Sequence, residues 1–121
     1  MALALYIQFD NIFGGSKYRP SEGWIDVMNL NALVTIQTRM AGVQINSFPV
    51  ELAIDRSTPA LMKAYGAGID IRTSILEARF GSRWLRMSME DVLIQSMKIE
   101  SNNGKKWHLR LMPGKTSTSS G

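Results

Sequence analysis

A chain of 121 residues without cysteine suits one domain that buries roughly two thirds of its unfolded surface, and it excludes disulfides and thiolate metal centres. Fourteen Lys and Arg against ten Asp and Glu leave a net charge of +4, spread along the chain and too mild to define a nucleic-acid binder alone. No apolar run approaches the roughly 20 residues of a membrane span, and Met1–Leu5 is too short and uncharged for a signal peptide, so a soluble chain made in the cytoplasm is expected.

In chain order, Gly14-Gly15-Ser16-Lys17 reads as a plain turn, because it lacks the Gly-x4-Gly-Lys-Ser/Thr spacing and no helical pattern follows it. From Trp24 to Gln37 the apolar residues Met28, Leu30, Ala32, Val34 and Ile36 alternate with Asn29, Asn31, Thr35 and Gln37. This predicts a long, half-buried strand. Met40-Ala41-Gly42 supplies a turn. The apolar phase then shifts from Val43 and Ile45 to Phe48, Val50, Leu52 and Ile54, and Pro49 places this segment at a sheet edge or a bulge.

Next comes one short helix. Ser57 and Thr58 are candidate caps whose hydroxyls accept from the first free N–H groups, Pro59 falls in the first turn, and Gly66 or Gly68 closes the far end. Alternation resumes from Ile69 through Phe80. Gly81-Ser82 suits a tight hairpin, and a strand follows with Leu85, Met87, Met89, Leu93, Met97 and Ile99 as its apolar residues. Asn103-Gly104 predicts a primed turn, and Trp107 to Met112 a short closing strand. Residues 113–121 are small and polar and read as a flexible tail, leaving 1–112 as the single domain. These elements predict a mainly β fold, a bent antiparallel β-barrel or sandwich with one short α-helix packed outside.

Reactive groups do not converge. His108 is the only histidine, and Glu90 and Asp91 point to opposite faces if extended, so no triad, acid–base pair or metal set can be nominated; no catalytic residue, metal or cofactor is expected. Arg79, Arg83, Arg86, Lys105, Lys106 and Arg110 offer a possible phosphate-attracting stripe. Trp24, Trp84 and Trp107 offer a possible base-stacking set, yet they are spread over separate strands. A small basic barrel that binds single-stranded nucleic acid is therefore the alternative reading. Long strands in a small domain leave edges that must be covered, charged or paired with another copy.

The helix segment Asp55-Arg56-Ser57-Thr58-Pro59-Ala60-Leu61-Met62-Lys63-Ala64 resembles the Asp-x-Ser-Thr-Pro-x-Leu-Met-x-Ala signature of the haemolysin-coregulated protein (Hcp) family, the tube subunits of type VI secretion systems. Tyr6-Ile7-Gln8-Phe9-Asp10-Asn11-Ile12-Phe13-Gly14-Gly15-Ser16 resembles the family's opening strand and Gly-x-Ser turn. Glu22-Gly23-Trp24-Ile25-Asp26-Val27 resembles its Ile-Asp-Val strand, and Asp91-Val92-Leu93-Ile94-Gln95-Ser96 echoes its Val-x-Ile-x-Ser strand. The resemblance implies a phage-tail-tube-like barrel that forms hexameric rings, which stack into a tube. The implied partners are copies of itself, a contractile sheath, a spike protein and effectors, with export by the secretion system from the bacterial cytoplasm. In that arrangement Asn29 and Asn31 are candidate pore-facing residues. The chain departs from the family in a shorter connection at Arg39–Asn46 and an abbreviated region after Lys98.

Overall fold

The computed structural model describes residues 3–16, 23–99 and 106–121; the Asn103-Gly104 turn, Lys17 and Lys105 lie outside them. The elements are β1 (Leu3–Phe9), β2 (Ile25–Asp26), α1 (Asn31–Met40), β3 (Phe48–Ala53), α2 (Thr58–Ala67), β4 (Ile71–Phe80), β5 (Arg83–Ile99) and β6 (Lys106–Ser120). The strands form one six-stranded antiparallel sheet in the order β2-β1-β4-β5-β6-β3. Its two outer strands approach each other through a bridge between Val27 and Leu52, so the sheet curls into a nearly closed barrel. The predicted mainly β, bent antiparallel barrel is what forms.

The core follows from strand alternation. Ile7, Phe9, Leu76, Ala78, Met87, Met89, Val50, Leu52, Leu109 and Leu111 point inward and are buried, and Trp107 is the largest side chain among them. Met87 and Met89 fill the interior, as their strand positions suggested. Pro49 sits on β3, an outer strand paired only with β6, where a missing N–H breaks no ladder. Gly81 has φ 61° at the first of two loop positions between Phe80 and Arg83, a position that type II′ hairpins reserve for glycine.

Two expectations are overturned. The long strand from Trp24 to Gln37 does not exist: after the two-residue β2 the chain enters α1, a second helix. Its buried residues are Ala32, Thr35 and Ile36, the i, i+3, i+4 spacing of a helix, whereas Met28, Leu30 and Val34 of the supposed apolar strand face are exposed. Thr35 Oγ1 donates to the Asn31 carbonyl at 3.0 Å and Thr38 Oγ1 to the Val34 carbonyl at 2.7 Å, so both β-branched hydroxyls are absorbed within the helix.

The second correction concerns 113–121. Residues 113–120 are the second half of β6, and Gly121 exchanges two backbone hydrogen bonds of 3.0 Å with Trp84. This segment pairs with β5 from Glu90↔Lys115 to Leu85↔Ser120. Small polar side chains suffice there because the ladder and the apolar partners on β5 supply the stabilisation.

β5 and β6 are long because they bend. Asp91 adopts φ 52°, rare for a residue with a Cβ, and Gln95 is the extra residue of a bulge between Ile94 and Ser96. Gly114 lies across from Asp91, and a Cβ there would stand 3.2 Å from Asp91 Cβ, so glycine lets the two backbones close at the bend.

Candidate assembly surface

The segment at the start of α2 locks onto the N-terminal glycine turn. Asp55 Oδ1 accepts from Ser57 N–H at 2.8 Å, and Ser57 Oγ donates to the same oxygen. Asp55 Oδ2 accepts from Gly15 N–H at 2.6 Å, and Arg56 Nε donates to the Gly14 carbonyl at 2.6 Å. A Cβ on Gly14 would lie 2.4 Å from the Trp24 carbonyl oxygen, so only glycine fits. The turn is held further by Gly14 N–H to Gly23 O at 2.6 Å and Ser16 N–H to Trp24 O at 2.9 Å.

Ser57 occupies the cap position of α2, but neither it nor Thr58 makes the hydroxyl cap bond expected of them. Thr58 Oγ1 instead accepts from Asp55 N–H at 3.1 Å. Asp55 is the organising residue, and Gly68, with φ 63°, closes the far end. We therefore expect Asp55→Ala to lower stability by about 2 kcal/mol, against about 1 kcal/mol for Ser57→Ala combined with Thr58→Ala. Thermal melts check the order, and a larger loss in the hydroxyl variant would contradict it.

Asn29 and Asn31 do not share a strand face. Asn29 lies in the barrel seam, where its Oδ1 accepts from Glu51 N–H at 3.0 Å beside the Met28 N–H to Glu51 O bond of 2.7 Å. Asn31 is exposed at the start of α1. The seam is thus stitched by an asparagine side chain where β2 is too short to run the full ladder.

The basic stripe is largely committed within the molecule. Arg86 Nε lies 2.6 Å from Glu77 Oε1 and Arg79 Nε 3.1 Å from Glu77 Oε2, while Glu77 is only 1% exposed. Arg86 also stacks over Trp84, 4.2 Å from the ring centroid. Lys106 and His108 Nδ1 lie 3.7 and 3.2 Å from Glu51 Oε1, and Arg110 donates to Ser47 Oγ at 2.9 Å. Trp107 is buried and Trp84 is covered on one face by Arg86, so these two indoles do not form a paired stacking platform with Trp24. The carboxylate that gathers the two arginines was missed by sequence reasoning; its only signal is an acid alternating with Arg79 two residues on, opposite Arg86.

Among the described residues, two strand stretches lack a strand neighbour on one side. β4 pairs with β5 only as far as Val92, and β3 pairs with β6 only as far as Leu111. On its β4 side β5 therefore has no strand partner from Leu93 to Ile99, among the described residues. On its β3 side β6 has no strand partner from Met112 to Ser120 among the described residues, although Arg39 donates to Thr116 Oγ1 at 2.7 Å and to its carbonyl at 3.3 Å. Ile99 on β5 and Met112 on β6 are exposed, as are Val43 and, in and just after α2, Met62, Tyr65 and Ile69. Only Thr58 and Leu61 of α2 are buried, and Lys63 is its single charge. Among the described residues no group of three or more His, Cys, Asp or Glu could hold a metal, and no helix is long and apolar enough to cross a membrane.

Strand stretches without a strand neighbour, in a curled six-stranded antiparallel sheet, define a barrel-like β protein. The family model for the type VI secretion system effector Hcp matches residues 6–117, and the chain belongs to the Hcp family. Its fold is similar to Hcp2 from Salmonella typhimurium, with TM-score 0.73 and 20% identity over 97% of this chain and 93% of that one. Hcp1 from the same organism gives TM-score 0.71 and 18% identity, covering 98% and 94%. A type VI secretion system effector from Yersinia pestis gives TM-score 0.68 and 14% identity, covering 97% and 98%. No curated protein matches by sequence.

Proposed function

We infer that this chain is a structural subunit of the type VI inner tube, assembling into hexameric rings that stack and carry effectors, and that it has no catalytic role. The observation that carries the reading is the pair of unpartnered edges on β5 and β6, beside exposed apolar residues, in a member of the Hcp family. An edge with free N–H and C=O groups gains most when an identical copy completes its ladder, and a head-to-tail contact of that kind closes into a ring at the right rotation. The outward face of β1, β4, β5 and β6 carries Gln8, Ile75, Ser88 and Ser117 in one ladder row and Tyr6, Glu77, Arg86 and Ser119 in the next, a largely polar face that serves as the pore wall in this reading. That face takes over the pore-lining role expected of Asn29 and Asn31. The sheath, spike and effectors are the further partners in this reading, with export from the bacterial cytoplasm.

Native mass spectrometry tests it. A hexamer is expected at micromolar concentration, and a monomer at every concentration would overturn the reading. A monomer whose affinity for single-stranded nucleic acid falls steeply with salt would favour the alternative.

A further inference from the structure

The outward sheet face changes character along the barrel. In its row nearest the β4–β5 hairpin, Arg79 of β4 stands opposite Trp84 of β5; in the next row Glu77 stands opposite Arg86, and Arg86 opposite Ser119. Glu77 is 1% exposed and accepts from Arg86 Nε at 2.6 Å and from Arg79 Nε at 3.1 Å, one through each oxygen. Both contacts use Nε, and among the described residues the terminal nitrogens of the two guanidinium groups make no hydrogen bond. Two cations set against one enclosed carboxylate leave positive charge in excess. The Arg79 and Arg86 side chains keep 16% and 32% exposure with which to meet a partner.

The surroundings select the kind of partner. Arg86 lies over the Trp84 ring, 4.2 Å from its centroid, and a Cβ on Gly121 would come within 2.5 Å of the same indole, so Trp84 is packed on by its neighbours and holds the Arg86 plane instead of offering a stack to a base. Beside Arg86 stand the hydroxyls of Ser119, across the ladder, and of Ser88, two residues on, with Ser117 opposite Ser88. Guanidinium and hydroxyl groups are the donors from which a carboxylate accepts. The next acid of β5 on this face is Glu90, one row beyond Ser88 and opposite Lys115, and Asp26 ends the Glu77 row three strands away from Arg86. Glu77 and Trp84 fix the guanidinium groups before any ligand arrives, which lowers the ordering cost of binding.

We propose that this patch is a carboxylate-binding site, and that its ligand is an extended acidic segment of a protein carried in the pore. The proposal rests on the tube reading above and gives it a class of cargo: a segment rich in Asp or Glu is held at Arg79 and Arg86, and a basic one is repelled there. A carboxylate reaching Arg86 exchanges water for charge-assisted bonds to terminal nitrogens that the protein itself leaves unbonded. The neighbouring row of Gln8, Ile75, Ser88 and Ser117 carries no charge, so the attraction is confined to the hairpin end. In a closed ring the patch recurs once per copy, and one segment with several acids meets several patches at once. Retention weakens as salt rises, because exposed charges are screened within about 8 Å at physiological ionic strength.

Fluorescence anisotropy tests this with a labelled Glu-Gly-Ser peptide, its Lys-Gly-Ser counterpart and a single-stranded oligonucleotide, at about 50 and 500 mM salt, a range that shortens the screening length severalfold. The proteins are the unmodified chain, Ser119→Glu, Ser120→Glu, and Glu77→Gln combined with Arg86→Gln. Ser119→Glu sets a carboxylate opposite Arg86 and leaves the Glu77 contacts in place, whereas Ser120→Glu adds the same charge one residue on, opposite Leu85. The paired variant removes a cation together with the acid that orients it and keeps the net charge. The acidic peptide is expected to bind the unmodified chain, at least about tenfold more weakly at the higher salt, and the Lys counterpart is not. Affinity falls at least about tenfold in Ser119→Glu and in the paired variant, and stays within about twofold in Ser120→Glu. Equal affinity for the two peptides, equal losses in Ser119→Glu and Ser120→Glu, or an oligonucleotide held more tightly than the acidic peptide would overturn the proposal. Native mass spectrometry of the same samples keeps the two readings apart: a ring that ignores the acidic peptide defeats the site and leaves the tube, while a monomer that binds it with this pattern of variants defeats the tube and leaves the carboxylate site.

Discussion

Gly14→Ala is expected to unfold at a temperature roughly 10 °C lower than the unmodified chain, a loss of about 3 kcal/mol. The Cβ would be placed 2.4 Å from the Trp24 carbonyl oxygen and 2.5 Å from Ile25 Cγ1, and the first of these is backbone that cannot swing aside. Relief would require moving the turn, which is pinned by Gly14 N–H to Gly23 O, Ser16 N–H to Trp24 O and the Arg56 bond to the Gly14 carbonyl. Steric damage therefore spreads to β2, the strand that closes the barrel against β3. Gly66→Ala is the control. Nothing lies within 4 Å of its would-be Cβ and it stands in α2, so that change is expected to be neutral or to stabilise by up to about 1 kcal/mol. Differential scanning calorimetry separates the two, and equal melting temperatures would remove the glycine turn from its place in the fold.

The second large effect lies at Glu77. Glu77→Gln is expected to cost about 2–3 kcal/mol in urea denaturation, because a buried carboxylate that satisfies two guanidinium groups is replaced by an amide that competes for them as a donor. The loss falls below the full penalty of a broken buried pair because the Arg79 and Arg86 side chains retain 16% and 32% exposure and regain some hydration. Lys106→Ala is the comparison: its contact with Glu51 is 3.7 Å long and partly solvated, and a change within about 0.5 kcal/mol is expected. If the two substitutions cost the same, burial of Glu77 does not set its energetic weight.

What could be read from the sequence were the features whose physics is local. Pro59 and Gly68 delimit α2 because each accepts a backbone geometry that few other residues adopt, and Gly81 marks the hairpin for the same reason. Pro49 announces an edge strand through its missing donor. Alternation misled at α1 because Met28, Leu30, Ala32, Val34 and Ile36 satisfy a period of two while Ala32, Thr35 and Ile36 satisfy the helical one. Only packing against the barrel chooses between them. The polarity of 113–120 hid a strand whose stability resides in β5, a partner that begins thirty residues earlier in the sequence.

The candidate assembly surface was less legible. Asn29 at the seam and Asp55 on the glycine turn each act on residues distant in sequence, and neither spacing nor composition reports such pairings; Glu77 lies close to both its arginines in sequence, but only the hairpin register brings Arg86 opposite it. The open edges of β5 and β6 are likewise a matter of register. They arise because β4 and β3 stop short of their neighbours' ends.

Amide hydrogen exchange, compared between the assembled protein and the same chain at a dilution that dissociates it, reads the β5 and β6 edges directly. The outward-facing amides within 93–99 and 112–120 are predicted to exchange slowly in the assembly and quickly when dilute, while the inner ladder changes little. Fast exchange along both edges at every concentration would contradict completion of the sheet by a second copy.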